Sequence, residues 1–458
     1  MIDVHCHLFN ARYLPLVGVL RSRKVPKRLA EGLARAMVTV TGRDPLLDAS
    51  TRAGSVRAST ASRAVDKSRE QLFKDIMANL SNESLDDPES AQWIDQHEPH
   101  LHDEDRRPTR AGNARAGRRG PHRQRNRNNR RSSLKKWIGV ATEVIDTAEA
   151  AINFLADLAR PETLMVQRLL KASPGVHTFV HLMMDMEYAY NDHPDIDFLD
   201  QIDRMARLAG QSPVNIIGFV AFETFRPDGL ELVRYAIEKK DFRGVKYYPS
   251  SGYLPVGNTD RMIPDHLARA GLTGREMDRL NLEMFDYCLQ YDIPILTHCT
   301  PGGMDRIPGK SGHLADPKHW IRFLEEYPRF QKLRLCLAHG GGEAGWLEDV
   351  DPSQGMTFFH DVVHMVQRYD RVYTDLSHLG GVMEPAKAMY FKKALESLID
   401  RYPKLSHRLM YGTDYPMPMD GAGWKGYLPA WMAALTDFPQ ELQHDFFEGN
   451  ATRYLGLP

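Results

Sequence analysis

Two histidines separated by a single residue lie near the start of the chain, in the segment Asp3-Val-His-Cys-His7. On a β-strand, residues i and i+2 point to the same face of the sheet. His5 and His7 can therefore present two imidazoles side by side, as the coordination of a transition metal requires. A His-x-His pair is also common as ordinary surface or core polarity, so the positions of the other potential ligands decide between the two interpretations.

Four further side chains of suitable chemistry lie in, or directly after, short apolar segments with the composition of β-strands. They are Lys246, His298, His339 and Asp414. If these segments are parallel strands of one barrel, all six residues lie at or near the carboxyl ends of the strands, which is the face that carries the active site in barrel enzymes. The pattern predicts that four histidines, one lysine and one aspartate converge around one mouth.

The elements that must position these residues form a repeating pattern. Eight apolar segments rich in β-forming residues predict strands near Ile2–His5, Val176–Met184, Val214–Phe222, Gly244–Tyr248, Ile293–Thr297, Leu333–Ala338, Val372–Leu376 and Leu409–Gly412. Helical periodicity fills several of the gaps, as in Leu230–Lys239, Met277–Gln290, Trp320–Glu326 and Ala386–Tyr402. Eight strands that alternate with helices predict an α/β fold of the (β/α)8 TIM-barrel class, built as a single domain over residues 1–458.

A large insertion interrupts this barrel after the first strand, at about residues 11–170. Residues 83–105 carry nine acidic residues and no Lys or Arg, and residues 106–131 carry eleven Arg and no acidic residue. Such composition cannot bury enough apolar surface to offset the entropy of ordering, so we expect residues 80–132 to be disordered or loosely ordered. The Arg-rich block fits contact with a polyanion or, alternatively, a solvated segment that pairs with the acidic block. Residues 137–159 have helical spacing of apolar residues.

Composition narrows the class of protein further. The chain has 458 residues, an apolar fraction of 42% and a formal net charge of -1, so no global field favours nucleic acid or a membrane. The four cysteines show no CxxC spacing, and three of them lie in or beside apolar segments that resemble strands, so we expect reduced thiols and a cytoplasmic protein. We see neither a secretory signal nor an apolar segment of membrane-spanning length. We expect a small-molecule substrate, with nucleic-acid contact limited to the Arg-rich block, and the oligomeric state is left open, a homo-oligomer included.

Five separated motifs resemble the amidohydrolase superfamily, and specifically its amidohydrolase-related branch of metal-dependent hydrolases and decarboxylases. They are Asp3-Val-His-Cys-His-Leu-Phe9, Gly244-Val-Lys-Tyr-Tyr-Pro249, Leu337-Ala-His-Gly-Gly341, Tyr411-Gly-Thr-Asp-Tyr-Pro416 and Asn450-Ala-Thr-Arg-Tyr-Leu-Gly456. The resemblance covers residues 1–10 and roughly 176–458, and the charged insertion has no counterpart in it. It implies a divalent metal held by His5, His7, His298 and Asp414.

The chemistry of these residues can be followed without the family. Zinc, manganese or iron bound to imidazole and carboxylate lowers the pKa of bound water, and Asp414 can both bind the ion and accept the water's proton. His339 either binds a second ion or polarises the substrate. A desolvated Lys246 can be neutral, take up carbon dioxide and bridge two ions as a carbamate, as in similar strands of dihydroorotase-like relatives. The alternative is an unmodified lysine that binds substrate or a neighbouring carboxylate, at a site that holds a single ion.

The residues just after other strands are candidates for substrate contact. They are His181, Arg226, Tyr247 and Asp375, with Ser377 and His378 beside Asp375. We expect hydrolysis of a C–N or C–O bond in a small organic molecule. Decarboxylation of an aromatic or unsaturated acid is the alternative within enzymes. A non-catalytic barrel scaffold whose Arg-rich segment binds polyanions is the alternative of another class.

Overall fold

The computed structural model describes residues 1–44, 46–48, 66–96, 154, 156–347, 357–417 and 424–458. Eight parallel strands follow one another around a sheet in the order of the sequence. They are β1 (Ile2–Cys6), β2 (Thr178–Leu182), β3 (Asn215–Phe222), β4 (Gly244–Tyr247), β5 (Ile295–Thr297), β6 (Leu335–Leu337), β7 (Val372–Asp375) and β8 (Leu409–Met410). Backbone hydrogen bonds from Val4 to Tyr411 and from His7 to Tyr415 bring β1 back against the β8 end. The predicted (β/α)8 barrel and all eight of its predicted strands are confirmed.

Helices surround this barrel, because each parallel strand needs a crossover connection to reach its neighbour. The α-helices of the described residues are Leu16–Ser22, Lys27–Thr41, Arg69–Asn79, Asn82–Asp86, Pro88–Gln96, Glu162–Ala172, Glu187–Tyr190, Phe198–Gln211, Gly229–Lys240, Asp265–Arg269, Gly274–Gln290, Lys318–Glu326, Ala344–Leu347, Thr357–Arg368, Pro385–Arg401, Trp424–Ala434, Gln440–His444 and Asn450–Leu455. The four helices predicted from periodicity are confirmed with small shifts at their ends. Over the described ranges, no helix combines the length and the apolar character needed to cross a bilayer.

The first part of the charged segment 80–132 is more ordered than its composition suggests. Residues 80–96, which we expected to be disordered, form two short helices, Asn82–Asp86 and Pro88–Gln96. Leu85 and Ile94 are fully buried there, in a small core shared with Leu29 on the helix Lys27–Thr41. The expectation is wrong at this end because a few apolar residues on one face suffice to dock an acidic helix. The rest of the predicted disordered segment and most of residues 137–159 lie outside the described residues.

Alternation along the strands decides which side chains reach the inside of the barrel. Lys246 and Tyr247 are consecutive residues of β4, so their side chains point to opposite faces of the sheet. Tyr247 packs outward against Phe285 and Trp320 of the surrounding helices. The side chain of Lys246 therefore points inward, toward the mouth. All four cysteines are buried and free, as expected for reduced thiols.

Candidate active site

His5, His7 and Asp414 form one compact group of potential ligand atoms at the mouth. The Nε2 atoms of His5 and of His7 each lie 3.1 Å from Asp414 Oδ1. The group forms because β1 carries both histidines and the closing contacts with β8 bring Asp414 over them. Gly412 allows this approach, since a Cβ there would lie 2.8 Å from the Cβ of His5.

The outer nitrogens of these two imidazoles are held by acceptors. His5 Nδ1 lies 3.2 Å from Asp375 Oδ2, and His7 Nδ1 lies 2.8 Å from the carbonyl oxygen of Leu182. A carboxylate and a carbonyl accept hydrogen, so the network assigns the ring proton to Nδ1 in both residues and leaves Nε2 with its lone pair. His5 Nε2 is buried and, apart from its 3.1 Å contact with Asp414 Oδ1, has no hydrogen-bond partner. This donor set fits a transition metal, whose tetrahedral ligand atoms are roughly 3.3 Å apart.

His298 lies across the mouth, against His339 rather than in the group around Asp414. His298 Nδ1 and His339 Nε2 are 3.2 Å apart. His298 Nε2 lies 2.9 Å from the carbonyl oxygen of Gly302, so the proton of His298 is on Nε2 and Nδ1 carries a lone pair. The adjacent Gly303 has a φ of +114°, and a Cβ there would come within 2.9 Å of the His298 ring. The loop after β5 therefore closes tightly over this imidazole and fixes its orientation.

A second group of three potential ligands, His5, His339 and Asp375, occurs in the described part of the chain. The hydroxyl of Ser377 already lies in the middle of this group. Its Oγ is 2.8 Å from His339 Nδ1 and 3.1 Å from His5 Nδ1, and it also donates to Asp375 Oδ1. The Ser377 hydroxyl, which both donates and accepts hydrogen bonds, occupies the position that an ion would take. Asp375 and Ser377 therefore orient the two imidazoles instead of forming an ion site with them.

Burial and charge set the protonation of the site. Burial lowers the pKa of His298 to about 3 and that of His339 well below its usual value, so both imidazoles are neutral. Burial opposes ionisation of Asp414 as well, yet the charge of a protonated His5 and hydrogen bonds from His5 and His7 hold the pKa of this carboxyl well below its ordinary range. Where the Nε2 atoms carry lone pairs, a cation bound between them and the carboxylate would act in the same direction. The carboxylate is therefore ionised and available as a ligand.

Lys246 lies in the same mouth and is almost completely buried. Burial lowers the pKa of its amine to about 8, although Asp414 and Asp375 act in the opposite direction. The Nζ atom lies 5.8 Å from the centre of the Tyr248 ring. A substantial fraction of this amine is uncharged just above neutral pH, which is the state that reacts with carbon dioxide.

Three residues of the site have an unusual backbone conformation. His339, His378 and Asp414 have φ angles of +61°, +59° and +61°, in the left-handed region that side chains with a Cβ rarely adopt. Such conformations persist where the surrounding structure imposes them, and they concentrate at functional sites. All three turn a side chain into the mouth directly after a strand. His378 Nδ1 lies 3.4 Å from Asp414 Oδ2.

These residues form the floor of a cavity of about 590 Å³. Apolar side chains make up much of its walls: Phe9, Phe154, Met184, Met304, Leu379 and Met417. The ring of Phe9 packs 5.1 Å from that of His7, and the ring of Tyr248 packs 4.6 Å from that of His298. Sequence reasoning missed Tyr248, Met184 and Glu343 as lining residues. Tyr248 and Met184 lie within two residues of the end of a strand, and that position was the signal that could have identified them.

The predicted substrate contacts are mostly placed elsewhere. Tyr247 does not line the cavity; its hydroxyl donates to the carbonyl oxygen of Leu254 in the layer between strand and helices. His181 is buried and accepts a hydrogen bond from the backbone of Leu8. Arg226 pairs with Asp185 and Glu187. Asp375 lies behind His5 and His339 and holds both. The prediction is wrong for Tyr247. When both faces of a strand are buried, its apolar pattern does not indicate which residues point into the barrel and which point outward.

Comparisons with known proteins give one family match and several similar solved structures. A family model described as amidohydrolase matches residues 160–457. This range begins after β1 and includes the seven strands β2 to β8. Similar solved structures include a probable 2-pyrone-4,6-dicarboxylic acid hydrolase from Acinetobacter baumannii with citric acid bound. It is 12% identical, with a TM-score of 0.41, and the alignment covers 64% of this chain and 89% of that one.

An amidohydrolase from Burkholderia multivorans has been solved in two forms that are also similar. The form with bound HEPES has a TM-score of 0.44 and the form with bound zinc 0.41, both at 14% identity, covering 67% of this chain and 92% of that one. A comparison with curated proteins found no match. At these identities the solved structures bear on neither the substrate nor the metal of this chain.

Proposed function

Because this chain belongs to the amidohydrolase family, we propose that it is a metal-dependent hydrolase that breaks a C–N or C–O bond in a small organic molecule. The observation that carries the proposal is the group formed by His5, His7 and Asp414. Two imidazole nitrogens with assigned lone pairs lie 3.1 Å from one carboxylate oxygen at the floor of a cavity. Burying electron-pair donors this close to one another costs folding free energy unless they bind a common cation.

His5 Nε2, His7 Nε2 and Asp414 Oδ1 would hold the first ion, most simply Zn²⁺, with Mn²⁺ or Fe²⁺ as alternatives. Such an ion lowers the pKa of bound water and polarises the bond that is attacked. The two carboxylate oxygens of Asp414 would have different roles. Oδ1 faces the imidazoles, whereas Oδ2 is directed toward His378 and can accept a proton. Asp375 and Leu182 keep the two imidazoles in the tautomer that binds metal.

A second ion would be held by His298 Nδ1 and His339 Nε2, with Lys246 as a carbamate between the two positions. The 3.2 Å separation of the two nitrogens is close to that of neighbouring ligands on one ion. The lowered pKa of Lys246 supports carbamate formation. With an unmodified lysine and one ion, His339 would instead act as the general base or polarise the substrate.

The walls of the cavity bear on the substrate. Apolar side chains such as Met184, Met304 and Leu379 surround a small polar floor. Cavities of this size and lining accept a small organic molecule, whose polar group meets the floor while its carbon skeleton contacts the walls. Decarboxylation is the second candidate, because apolar surroundings destabilise a charged carboxylate relative to neutral carbon dioxide. The carboxylate would leave as carbon dioxide, and the carbon that keeps the bonding electron pair would take up a proton.

Metal counting and a substrate screen test the proposal together. Protein purified without chelator is expected to contain one or two transition-metal ions per chain and to hydrolyse members of a panel of esters, lactones and amides. The variant His5→Gln is expected to lose both properties. His444→Gln is the matched control, because His444 is exposed and lies outside the cavity. Wild-type protein without metal would refute the proposal, and carbon dioxide release without hydrolysis would favour the decarboxylase.

A further inference from the structure

The hydroxyl of Ser377 lies between three functional groups of the site. Ser377 is fully buried in the turn after β7. Its Oγ contacts Asp375 Oδ1, lies 2.8 Å from His339 Nδ1 and lies 3.1 Å from His5 Nδ1. A hydroxyl has one hydrogen to donate and two lone pairs that accept. The geometry therefore restricts where the protons of the neighbouring rings can be.

The hydroxyl hydrogen is assigned to Asp375. Asp375 Oδ1 is surrounded by donors, since it also accepts from the backbone N–H of His339 at 3.2 Å and of Ser377 at 3.1 Å. The Ser377 Oγ contact with this carboxylate oxygen is shorter than the contact with His339 Nδ1. If the hydrogen pointed to His339 instead, two oxygen atoms would face each other at hydrogen-bond distance without a shared hydrogen.

With the hydrogen directed to Asp375, Ser377 Oγ accepts from His339 Nδ1. His339 then carries its proton on Nδ1, and its Nε2 has a lone pair. That atom faces His298 Nδ1 at 3.2 Å, which also has a lone pair because His298 Nε2 donates to Gly302. Two facing lone pairs repel unless a cation lies against both of them.

We propose that Ser377 is a positioning residue that fixes the tautomer of His339, so that His339 Nε2 and His298 Nδ1 form a two-nitrogen donor set for a cation. This inference rests on the proposed function, since it assigns the residue that prepares the second ion position. Ser377 acts only through His339 and, more weakly, through His5. It does not touch the cavity.

Zinc affinity of the full-length protein, measured by competition with a fluorescent chelator, tests this role without any substrate. The wild-type protein is expected to bind two zinc ions, and Ser377→Ala to weaken the weaker site by about 10- to 100-fold, as for other residues that orient metal ligands. Ser377→Thr keeps the hydroxyl and is expected to restore affinity to nearly the wild-type value. Ser251→Ala is the matched control, because Ser251 is equally buried and its hydroxyl has no partner.

A double variant separates positioning from a general structural role. In the His339→Asn background, Ser377→Ala is expected to change the affinity of the remaining zinc site far less than it changes the weaker site of the wild type, because only the weaker contact with His5 remains. Wild-type affinity for both ions in Ser377→Ala, or equal losses in the Ala and Thr variants, would overturn the inference. If Ser377→Ala does not fold, Ser377→Cys replaces it, since a thiol is a weak hydrogen-bond partner. Wild-type protein that binds no zinc would overturn both this inference and the proposed function.

Discussion

Asp3 joins the two strands that carry the proposed metal ligands, and its replacement by Asn offers a quantitative test of the site. The carboxyl is fully buried and accepts three hydrogen bonds. The backbone N–H groups of His5 and Thr413 each donate to Oδ1 at 3.0 Å, and the Thr413 hydroxyl donates to Oδ2 at 2.7 Å. Asn keeps the carbonyl for the backbone donors, and Thr413 Oγ1 can turn toward the carbonyl oxygen of His5, 3.3 Å away.

The ionisation of Asp3 makes this substitution dependent on pH. Burial raises the pKa of Asp3 to about 7 despite the hydrogen bonds from Thr413 and His5. The folded protein therefore holds a proton that the unfolded chain releases near its ordinary pKa of 3.8, so the stability of the wild type falls as the pH rises from about 4 to about 7. The interval from about pH 5 to about pH 7 spans about 2 pH units. At 1.36 kcal/mol per pH unit, the free energy of unfolding falls by about 3 kcal/mol over this interval.

Asn cannot ionise, so the variant escapes this loss. Relative to the wild type, Asp3→Asn is expected to gain about 3 kcal/mol of unfolding free energy between about pH 5 and about pH 8. The gap is the difference in unfolding free energy between Asp3→Asn and the wild type. Urea unfolding followed by circular dichroism measures it at both pH values, with chelator present so that metal does not contribute. The other titrating groups are common to both proteins and largely cancel in the difference. An identical gap at the two pH values would refute the reasoning, because it would mean that Asp3 is already ionised at the lower pH.

Three further predictions follow from the site and the insertion. The double variant His5→Ala, His7→Ala is expected to lose its metal while keeping its circular dichroism spectrum, and wild-type metal content would contradict the assignment. Lys246→Ala is expected to bind one ion fewer, with partial restoration by small carboxylates that replace the carbamate, and an unchanged metal count would show that the lysine is unmodified. Ile94→Ala is expected to cost about 2–5 kcal/mol of unfolding free energy without loss of metal, because Ile94 is fully buried beside Leu29. An unchanged melting temperature would mean that this helix does not contribute to the core.

Much of the fold could be predicted from the chain because barrel strands have a strong local signature. Each strand is a short apolar segment rich in β-forming residues, and the helices between them have apolar residues at helical spacing. The candidate ligands follow these segments directly, so their place at the carboxyl ends of the strands depends on the order of residues along the chain. His5, His7, Lys246, His298, His339 and Asp414 could therefore be assigned to one mouth without knowledge of a single distance.

The partners of these residues depend on contacts between distant parts of the chain. The closing contacts of β1 with the β8 end bring Asp414 to His5 and His7, whereas the pairing of β5 with β6 places His298 against His339. A strand with two buried faces gives no pattern that separates Lys246, which points into the barrel, from Tyr247, which points out. Arg226 has the charge and the position expected of a substrate contact, yet it forms an ion pair with Asp185, which follows another strand. Local composition specifies which residues can do chemistry, but packing over hundreds of residues determines which of them meet.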